Sequence, residues 1–197
     1  IAAAALALLG PRDLEGRSAV VSAGGTREAL DPVRFLGNRS SGRQGVAVAD
    51  ALAARGARVT VVAANTEVDP AGAFNHRVVT VVSARDLELA VEAESRNADI
   101  VVMAAAVADY RPAQVQDAKM KKTGEALRLE LIENPDILAG LVARRRPGQI
   151  IVGFAAETGD ATTDALSHGR AKAIRKGADL LAINSVGETT GFGDVTN

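Results

Sequence analysis

The sequence predicts an α/β fold of the Rossmann-like kind: a mostly parallel sheet covered by helices on both faces, with a small β excursion. Three observations predict it. Short apolar, β-branched runs (Ala19-Val20-Val21, Val59 to Val62, Val101-Val102, Ile150 to Val152) alternate with stretches of helical period, the pattern of successive strand–helix–strand units. The runs read as buried strands, as a parallel sheet covered on both faces requires. Nineteen glycines suit many tight strand–helix junctions, and with only 3% aromatic residues the core must be built from Ala, Val, Ile and Leu.

In chain order, the alanine-rich start Ile1 to Gly10 is expected to be a helix leading in from an upstream domain, stopped by Gly10-Pro11. Residues 1–17 are read as a linker helix and its connection, and 18–197 as the functional domain. Ser18 to Ala23 is the first strand. Arg43 to Arg55 is a helix with Val46, Ala49, Leu52 and Ala53 on one face, closed by Gly56. Ala57 to Ala63 is the second strand; a loop through Asp69-Pro70 leads to the third, Arg77 to Val82. Helix Ala84 to Arg96 and strand Asp99 to Ala105 follow. Leu127, Leu129 and Leu131 alternate with Arg128 and Glu130, which reads as a half-buried strand in a hairpin-like excursion. Asn134-Pro135-Asp136 starts a helix to about Arg145. Gln149 to Ala155 is a strand, Asp160 to Lys176 a helix, and Asp179 to Asn184 the last strand; Gly187 to Asn197 has the composition of a loop.

At 197 residues the chain suits one α/β domain and can bury roughly 70% of its unfolded surface. The net charge of -1 gives no electrostatic reason to expect nucleic acid or an anionic membrane as a partner. No run approaches the ~20 apolar residues of a membrane span. Without cysteine there is no disulfide, no zinc-thiolate site and no thiol nucleophile, which fits a cytoplasmic protein.

In a parallel sheet ligands lie beyond the carboxyl ends of the strands, so the loops after Ala23 and Ala105 are the ones to search. The first, Gly24 to Gly42, is rich in Gly, Ser, Asn and Arg and ends where Arg43 opens a helix. A strand, a glycine turn and a helix start gather backbone N–H groups around one point, an arrangement that binds phosphate. Arg27, Arg34, Arg39 and Arg43 lie in or beside it. Gly37 to Gln44 has the glycine spacing of a P-loop but carries Arg43 and Gln44 where lysine and a hydroxyl belong. Ser22 to Arg27 lacks the G-x-G-x-x-G of dinucleotide sites, and Gln114 stands where Tyr110 would need a lysine partner for short-chain reductase chemistry. His76 and His168 have no acidic–serine constellation around them.

The ordered set SAGGTREALDPVRFLGNRSSGRQG, AAAVADYRP, KMKK, ENPDIL, GFAAET and Lys172-x-x-x-Lys176 resembles phosphopantothenoylcysteine synthetase, from about Gly16 to Phe192. In bacteria that enzyme is commonly the C-terminal half of a bifunctional coenzyme A biosynthesis protein with an upstream flavin-dependent decarboxylase. The chain stops soon after Gly191-Phe192-Gly193, where family members usually continue. The resemblance implies CTP-dependent joining of 4′-phosphopantothenate to L-cysteine through an acyl-cytidylate, releasing pyrophosphate and CMP. It also implies Mg²⁺ (or Mn²⁺) with CTP, and a homodimer with active sites near the subunit interface.

By the same resemblance Asn38 is associated with the acyl-nucleotide intermediate, Arg34 is an active-site arginine suited to phosphate or carboxylate, and Lys119 contacts the nucleotide. From spacing alone Asn38 would pass for a loop cap, Arg34 for a surface arginine and Lys119 for part of a solvated charge run. Gly24, Gly25, Ser40, Ser41 and Gly42 are expected to offer anion-binding N–H and hydroxyl groups, with ordinary turn chemistry as the other reading. Met103, Ala104 and Ala105 are expected to let the nucleotide approach the backbone, and Asp109 to bond its ribose or base. Pro135, Asp136, Ile137, Leu138 and Phe154 match further pocket positions, although Phe154 would otherwise be read as core. Lys172 and Lys176, four apart on one helical face, can both reach a triphosphate or simply edge an exposed helix. Two other functions remain open: a Rossmann-type NAD(P)-dependent reductase, and a non-catalytic nucleotide-binding module that serves assembly.

Overall fold

The computed structural model describes residues 10–122, 124–157, 170 and 174–185. Its elements are β1 (Ser18–Gly24), β2 (Arg27–Ala29), β3 (Phe35–Gly37), α1 (Arg43–Ala54), β4 (Arg58–Ala64), β5 (Arg77–Val81), α2 (Ala84–Ser95), β6 (Ile100–Met103), β7 (Tyr110–Pro112), β8 (Leu131–Glu133), α3 (Ile137–Ala143), β9 (Ile150–Glu157) and β10 (Leu180–Ser185). Six strands form one sheet in the order β5-β4-β1-β6-β9-β10, every neighbouring pair parallel. Counted along the chain this is the Rossmann order 3-2-1-4-5-6, whose direction reverses between β1 and β6. The predicted fold class is the observed one. The leading helix, most of the helix expected over Asp160 to Lys176, and Gly187 to Asn197 lie outside the described residues.

Successive residues of a strand face opposite sides, and β1 shows the consequence. Val20 joins Val62, Val101 and Ile151 under α2 and α3, while Ala19, Val21 and Ala23 join Val59, Val61 and Val102 under α1. Val21, Val61, Val62 and Val101 are fully buried, each stabilising the fold by roughly 1.5–3 kcal/mol relative to exposure. Two aliphatic layers of this kind do without large aromatics. Helix α2 begins with a capping box between Ser83 and Asp86 and buries Ala84, Leu87, Val91 and Ser95, one face of a 3.6-residue period. Among the described residues no helix is long and apolar enough to cross a membrane.

The structure departs from the sequence reading in two loops. The polar segment after β1 contains an antiparallel hairpin, β2 paired with β3 (Glu28 opposite Leu36). Leu127, Leu129 and Leu131 do not form a half-buried strand: all three are exposed, and only Leu131 enters a strand, β8, which pairs antiparallel with β7. The excursion is a two-stranded ribbon carrying an arm, residues 113–122 and 124–130, and among the described residues its leucines have no core to face. Strand β6 ends at Met103 rather than Ala105, and α3 starts at Ile137 because Asp136 caps it, accepting the Ala139 N–H at 3.0 Å.

Candidate active site

Beyond the carboxyl ends of β1 and β6 lies a cleft of about 1190 Å³. One wall is the segment from Gly37 into the first turn of α1; the opposite wall is the chain from Met103 to Tyr110, and the far end is closed by the start of α3 with Phe154 of β9. The position follows from the strand order: connections from β1 and β6 run to opposite sides of the sheet and leave a crevice between them.

The two walls are tied together by polar contacts. Past Met103 the chain leaves the regular ladder and runs beside Gly24, Gly25 and Thr26. Ala106 donates to the Gly24 carbonyl at 2.8 Å, and Thr26 donates to the Ala106 carbonyl at 3.1 Å. The buried Thr26 Oγ1 accepts the Ala108 N–H at 2.9 Å, and Ser22 Oγ accepts the Ala105 N–H at 3.1 Å. Across the top, Asn38 Nδ2 donates to the Val107 carbonyl at 3.0 Å. That bond fixes the plane of the Asn38 amide while its carbonyl oxygen and second N–H stay available.

Helix α1 opens on this cleft. Its N-cap, Gly42, has φ +83°, makes no side-chain cap bond, and no acidic residue stands in the first turn. Ser41 Oγ accepts the Arg43 N–H only at 3.5 Å, and a helix start so lightly capped presents N–H groups and the positive end of the helix dipole, which favour an anion. Ser40, Ser41, Arg39 and Arg43 border the same point. A side chain at Gly42 would strike Thr66, its Cβ 2.7 Å from Cγ2, so glycine keeps the turn low against the sheet.

Asn38, Ser40, Ser41, Gly42, Met103, Ala104, Ala105, Asp109, Pro135, Asp136, Ile137, Leu138, Phe154 and Lys176 all line the cleft, brought together from five regions of sequence. Gly24, Gly25, Arg34 and Lys119 do not line it, and Lys172 lies outside the described residues.

The structure gives several of the expected site residues a place or a partner that the sequence did not indicate. Gly24 and Gly25 are buried beneath the cleft, and the Gly25 N–H is committed to the Ala64 carbonyl at 2.8 Å, so neither glycine offers the anion-binding groups expected of it. Glycine is required for close packing instead: at Gly24 (φ +88°) an added Cβ would stand 2.0 Å from the Ala64 oxygen. Arg34 lies outside the cleft lining, with its Nε and Nη2 bonded to Asp31 at 2.9 and 2.6 Å and Nη2 also donating to the Met120 carbonyl at 2.8 Å. Burial raises the Asp31 carboxyl, but Arg34 and the N–H groups of Val33, Met120 and Arg34 outweigh it and hold the group well below the usual range. Lys119 is exposed on the arm rather than in the cleft wall. Lys176 does reach the cleft, but as the ion-pair partner of Asp136, so it braces the α3 cap.

Three contributors escaped the sequence reading. Thr26 is the first, and its signal was a hydroxyl directly after the strand-end glycines. Asn134 is the second: its Nδ2 donates to the Ala108 carbonyl at 2.8 Å, its Oδ1 accepts from Arg111 at 3.0 Å, and its N–H bonds the Asp109 carbonyl at 2.8 Å. It fastens the α3 end of the cleft to the β6 loop. The third is Asn184 of β10, whose amide donates to Gln44 Oε1 at 2.9 Å; nothing in the sequence pointed to it. His76 sits apart, buried against Asp50 at 2.7 Å. Among the described residues no group of three or more His, Cys, Asp or Glu is placed to hold a metal ion.

The model of the DNA/pantothenate metabolism flavoprotein C-terminal domain matches residues 14–197. The chain belongs to that family. It is 57% identical over 190 residues to the coenzyme A biosynthesis bifunctional protein CoaBC of Mycobacterium tuberculosis, covering 92% of this chain and 45% of that protein. Against CoaBC of Escherichia coli it is 42% identical over 189 residues, covering 94% of this chain and 45% of the relative. This flavoprotein C-terminal domain thus spans less than half the length of these curated relatives. A crystal structure of the C-terminal domain of CoaBC superposes with a TM-score of 0.73 at 35% identity, covering 86% of this chain and 78% of that one.

Proposed function

We propose that this domain is the phosphopantothenate–cysteine ligase of coenzyme A biosynthesis, working with Mg²⁺–CTP. The observation that carries the reading is the Asn38–Val107 bond, which holds the Asn38 amide at the mouth of the switch-point cleft, beside the start of α1, where no acidic residue stands in the first turn. Family membership, and resemblance through every motif of the cleft, support the choice of reaction.

A carboxylate is a poor electrophile at neutral pH and must be given a leaving group. Covalent activation by the protein would need a nucleophile with an adjacent base, and this chain has no cysteine. A nucleotide supplies the leaving group instead. The pantothenate carboxylate attacks the α-phosphorus of CTP, pyrophosphate departs, and the acyl-cytidylate forms. The free amine of cysteine then attacks the acyl carbon, CMP leaves with the bonding pair, and the amine sheds a proton.

Two anions must meet in this scheme, so positive potential and N–H donors carry much of the catalysis. The first turn of α1 with Ser40 and Ser41 takes the triphosphate, and Asn38 donates to the oxygen on which charge builds. Met103 to Ala105 admit the nucleoside close to the main chain, Asp109 bonds its ribose or base, and Phe154 with the Pro135–Leu138 segment closes the pocket. Cleft acids Asp109, Glu133 and Asp136 are not gathered into a metal cage; Mg²⁺ enters as part of the substrate, on the phosphates. In the whole protein an upstream flavin-dependent decarboxylase would use the product. A homodimer that covers the arm's exposed leucines, and a cytoplasmic location, complete the proposal.

The test is a reaction with Mg²⁺–CTP, 4′-phosphopantothenate and cysteine. Pyrophosphate, CMP and the amide are expected in equal amounts, and a parallel assay with ATP is expected to be much slower. Normal CTP binding without turnover would instead favour a non-catalytic assembly module, and tight NADPH binding would favour a reductase.

A further inference from the structure

The charged groups of the cleft are sorted by wall. Arg39 and Arg43 stand on the segment that runs from Gly37 into α1, and no acid lines the cleft from that side. Asp109 and Glu133 stand on the other side, on the chain that follows β6 and on β8. The third acid, Asp136, is neutralised by its ion pair with Lys176. Asp109 serves the nucleoside in the ligase reading, which leaves Glu133 without a role in a cleft that must admit two anions. An unpaired carboxylate there repels both substrates unless a cation is brought to it.

Glu133 sits on a braced piece of main chain. It lies opposite Tyr110 in the β7–β8 register, so the two side chains share one face of the ribbon, and both line the cleft. Arg111 Nη1 donates to the Glu133 carbonyl at 2.6 Å. The next residue, Asn134, is bonded to the carbonyls of Ala108 and Asp109. The Val107 carbonyl, one residue before Ala108, is the one that holds the Asn38 amide. Asn38 and the neighbour of Glu133 are therefore fixed to successive carbonyls of one segment. Arg111 is committed to main chain and to Asn134, and among the described residues no cation pairs with the exposed Glu133 carboxylate.

We propose that Glu133 binds the ammonium group of the amino-acid substrate and holds its nitrogen beside the acyl carbon at Asn38. The nature of the ligand rests on the ligase reading. Of the groups that reading brings to the cleft, the triphosphate and both ends of the acid are anions, and Mg²⁺ travels on the phosphates. The ammonium is the remaining cation, and a carboxylate takes it by a charge-assisted bond. In amide formation the nitrogen bonds to the acyl carbon, and the carbon–oxygen bond to CMP breaks with its electron pair going to CMP. The protonated amine gives up two protons, one before attack and one after. A solvent-exposed carboxylate in contact with the nitrogen passes them to water.

The test separates the two half-reactions. With Mg²⁺–CTP and 4′-phosphopantothenate but no cysteine, wild type and Glu133→Gln are expected to give pyrophosphate bursts whose rates agree within about twofold. With cysteine present, Glu133→Gln is expected to raise the KM for cysteine roughly tenfold, the loss of one charge-assisted bond, while the KM for CTP stays within about twofold. An unchanged KM for cysteine would overturn the proposal, and so would a burst slowed as much as the ligation. Should the variant fail to fold, competition on the wild-type protein decides. Cysteamine, which keeps the amine, is expected to compete with cysteine, and 3-mercaptopropionate, which lacks it, is not. Equal competition by the two would remove the ammonium subsite and leave the ligase reading standing. A folded wild type that releases no pyrophosphate removes the ligase reading, and the subsite with it.

Discussion

The strands β1, β4 and β6 and the loops that leave β1 and β6 are neighbours held by opposite means. The strands are fixed by aliphatic side chains with no polar atoms, in two layers that include Val21, Val61, Val62 and Val101. The loops bury few apolar groups and are fixed by polar ones: Thr26 at Ala108, Glu28 at the Ala84 N–H, Asp31 at Met120, Asn134 at Ala108. Apolar contacts are non-directional and tolerate small shifts, whereas hydrogen bonds set angles and registers. Damage to the frame should therefore cost stability, and damage to the loops should cost site geometry.

The strongest challenge to that division comes where frame and loop meet. Gly24→Ala puts a Cβ 2.0 Å from the Ala64 oxygen at a left-handed backbone position, and about 4 kcal/mol or more should be lost. Circular dichroism should find little folded protein; a wild-type melting curve would show that the junction can give way. Next in size is Leu87→Ala in the core of α2, expected to cost about 3 kcal/mol in urea unfolding. The folded fraction should keep a KM for CTP within about twofold, as a purely structural loss requires. Were its KM to rise with the lost stability, the frame would be part of the site.

Thr26→Val keeps the shape but leaves the buried Ala108 N–H without an acceptor, at about 2 kcal/mol in stability. The same change should lower kcat/KM for CTP roughly tenfold, because the Val107 carbonyl that orients Asn38 belongs to the same segment. Equal stability loss with unchanged kcat/KM would erase the distinction between loops and frame. The smallest effect concerns pH. The Asp31 carboxyl is held below its ordinary range in the folded state, so the unfolded chain binds that proton more readily. Its stabilisation is present above the unfolded pKa of about 3.9 and is lost as pH falls below it toward the folded value. Melting temperatures measured from pH 6 to 2.5 should fall less steeply for Asp31→Asn than for wild type; parallel curves would exclude this carboxyl as a source of acid sensitivity.

The same contrast explains what could be read from the sequence. Strands β1, β4, β5 and β9 and helices α1 and α2 were legible to within a few residues, because apolar period and glycine stops are local signals. The crevice followed from parallel strands alone, and most of the family's pocket positions line it. Hydrogen-bonded structure was less legible. The hairpin β2–β3 consists of REA and FLG, three residues each and too short to carry a period. Arg34 reads as a free surface arginine or an anion grip until Asp31, three residues earlier, is seen to take its Nε and Nη2. Gly24 and Gly25 look like phosphate-loop glycines but are needed for the approach of Ala64 and the Asn38 loop. The alternating leucines of the arm misled for a different reason: period reports a two-faced segment and not whether anything in the same chain covers one face.

The most direct measurement is a crystal structure of the protein with Mg²⁺–CTP. The triphosphate is predicted to lie on the N–H groups of the first turn of α1, beside Ser40 and Ser41, with the nucleoside between Asp109 and Phe154 and the α-phosphate within reach of the Asn38 amide. Nucleotide bound at any other edge of the sheet, with the start of α1 free of phosphate, would contradict the account.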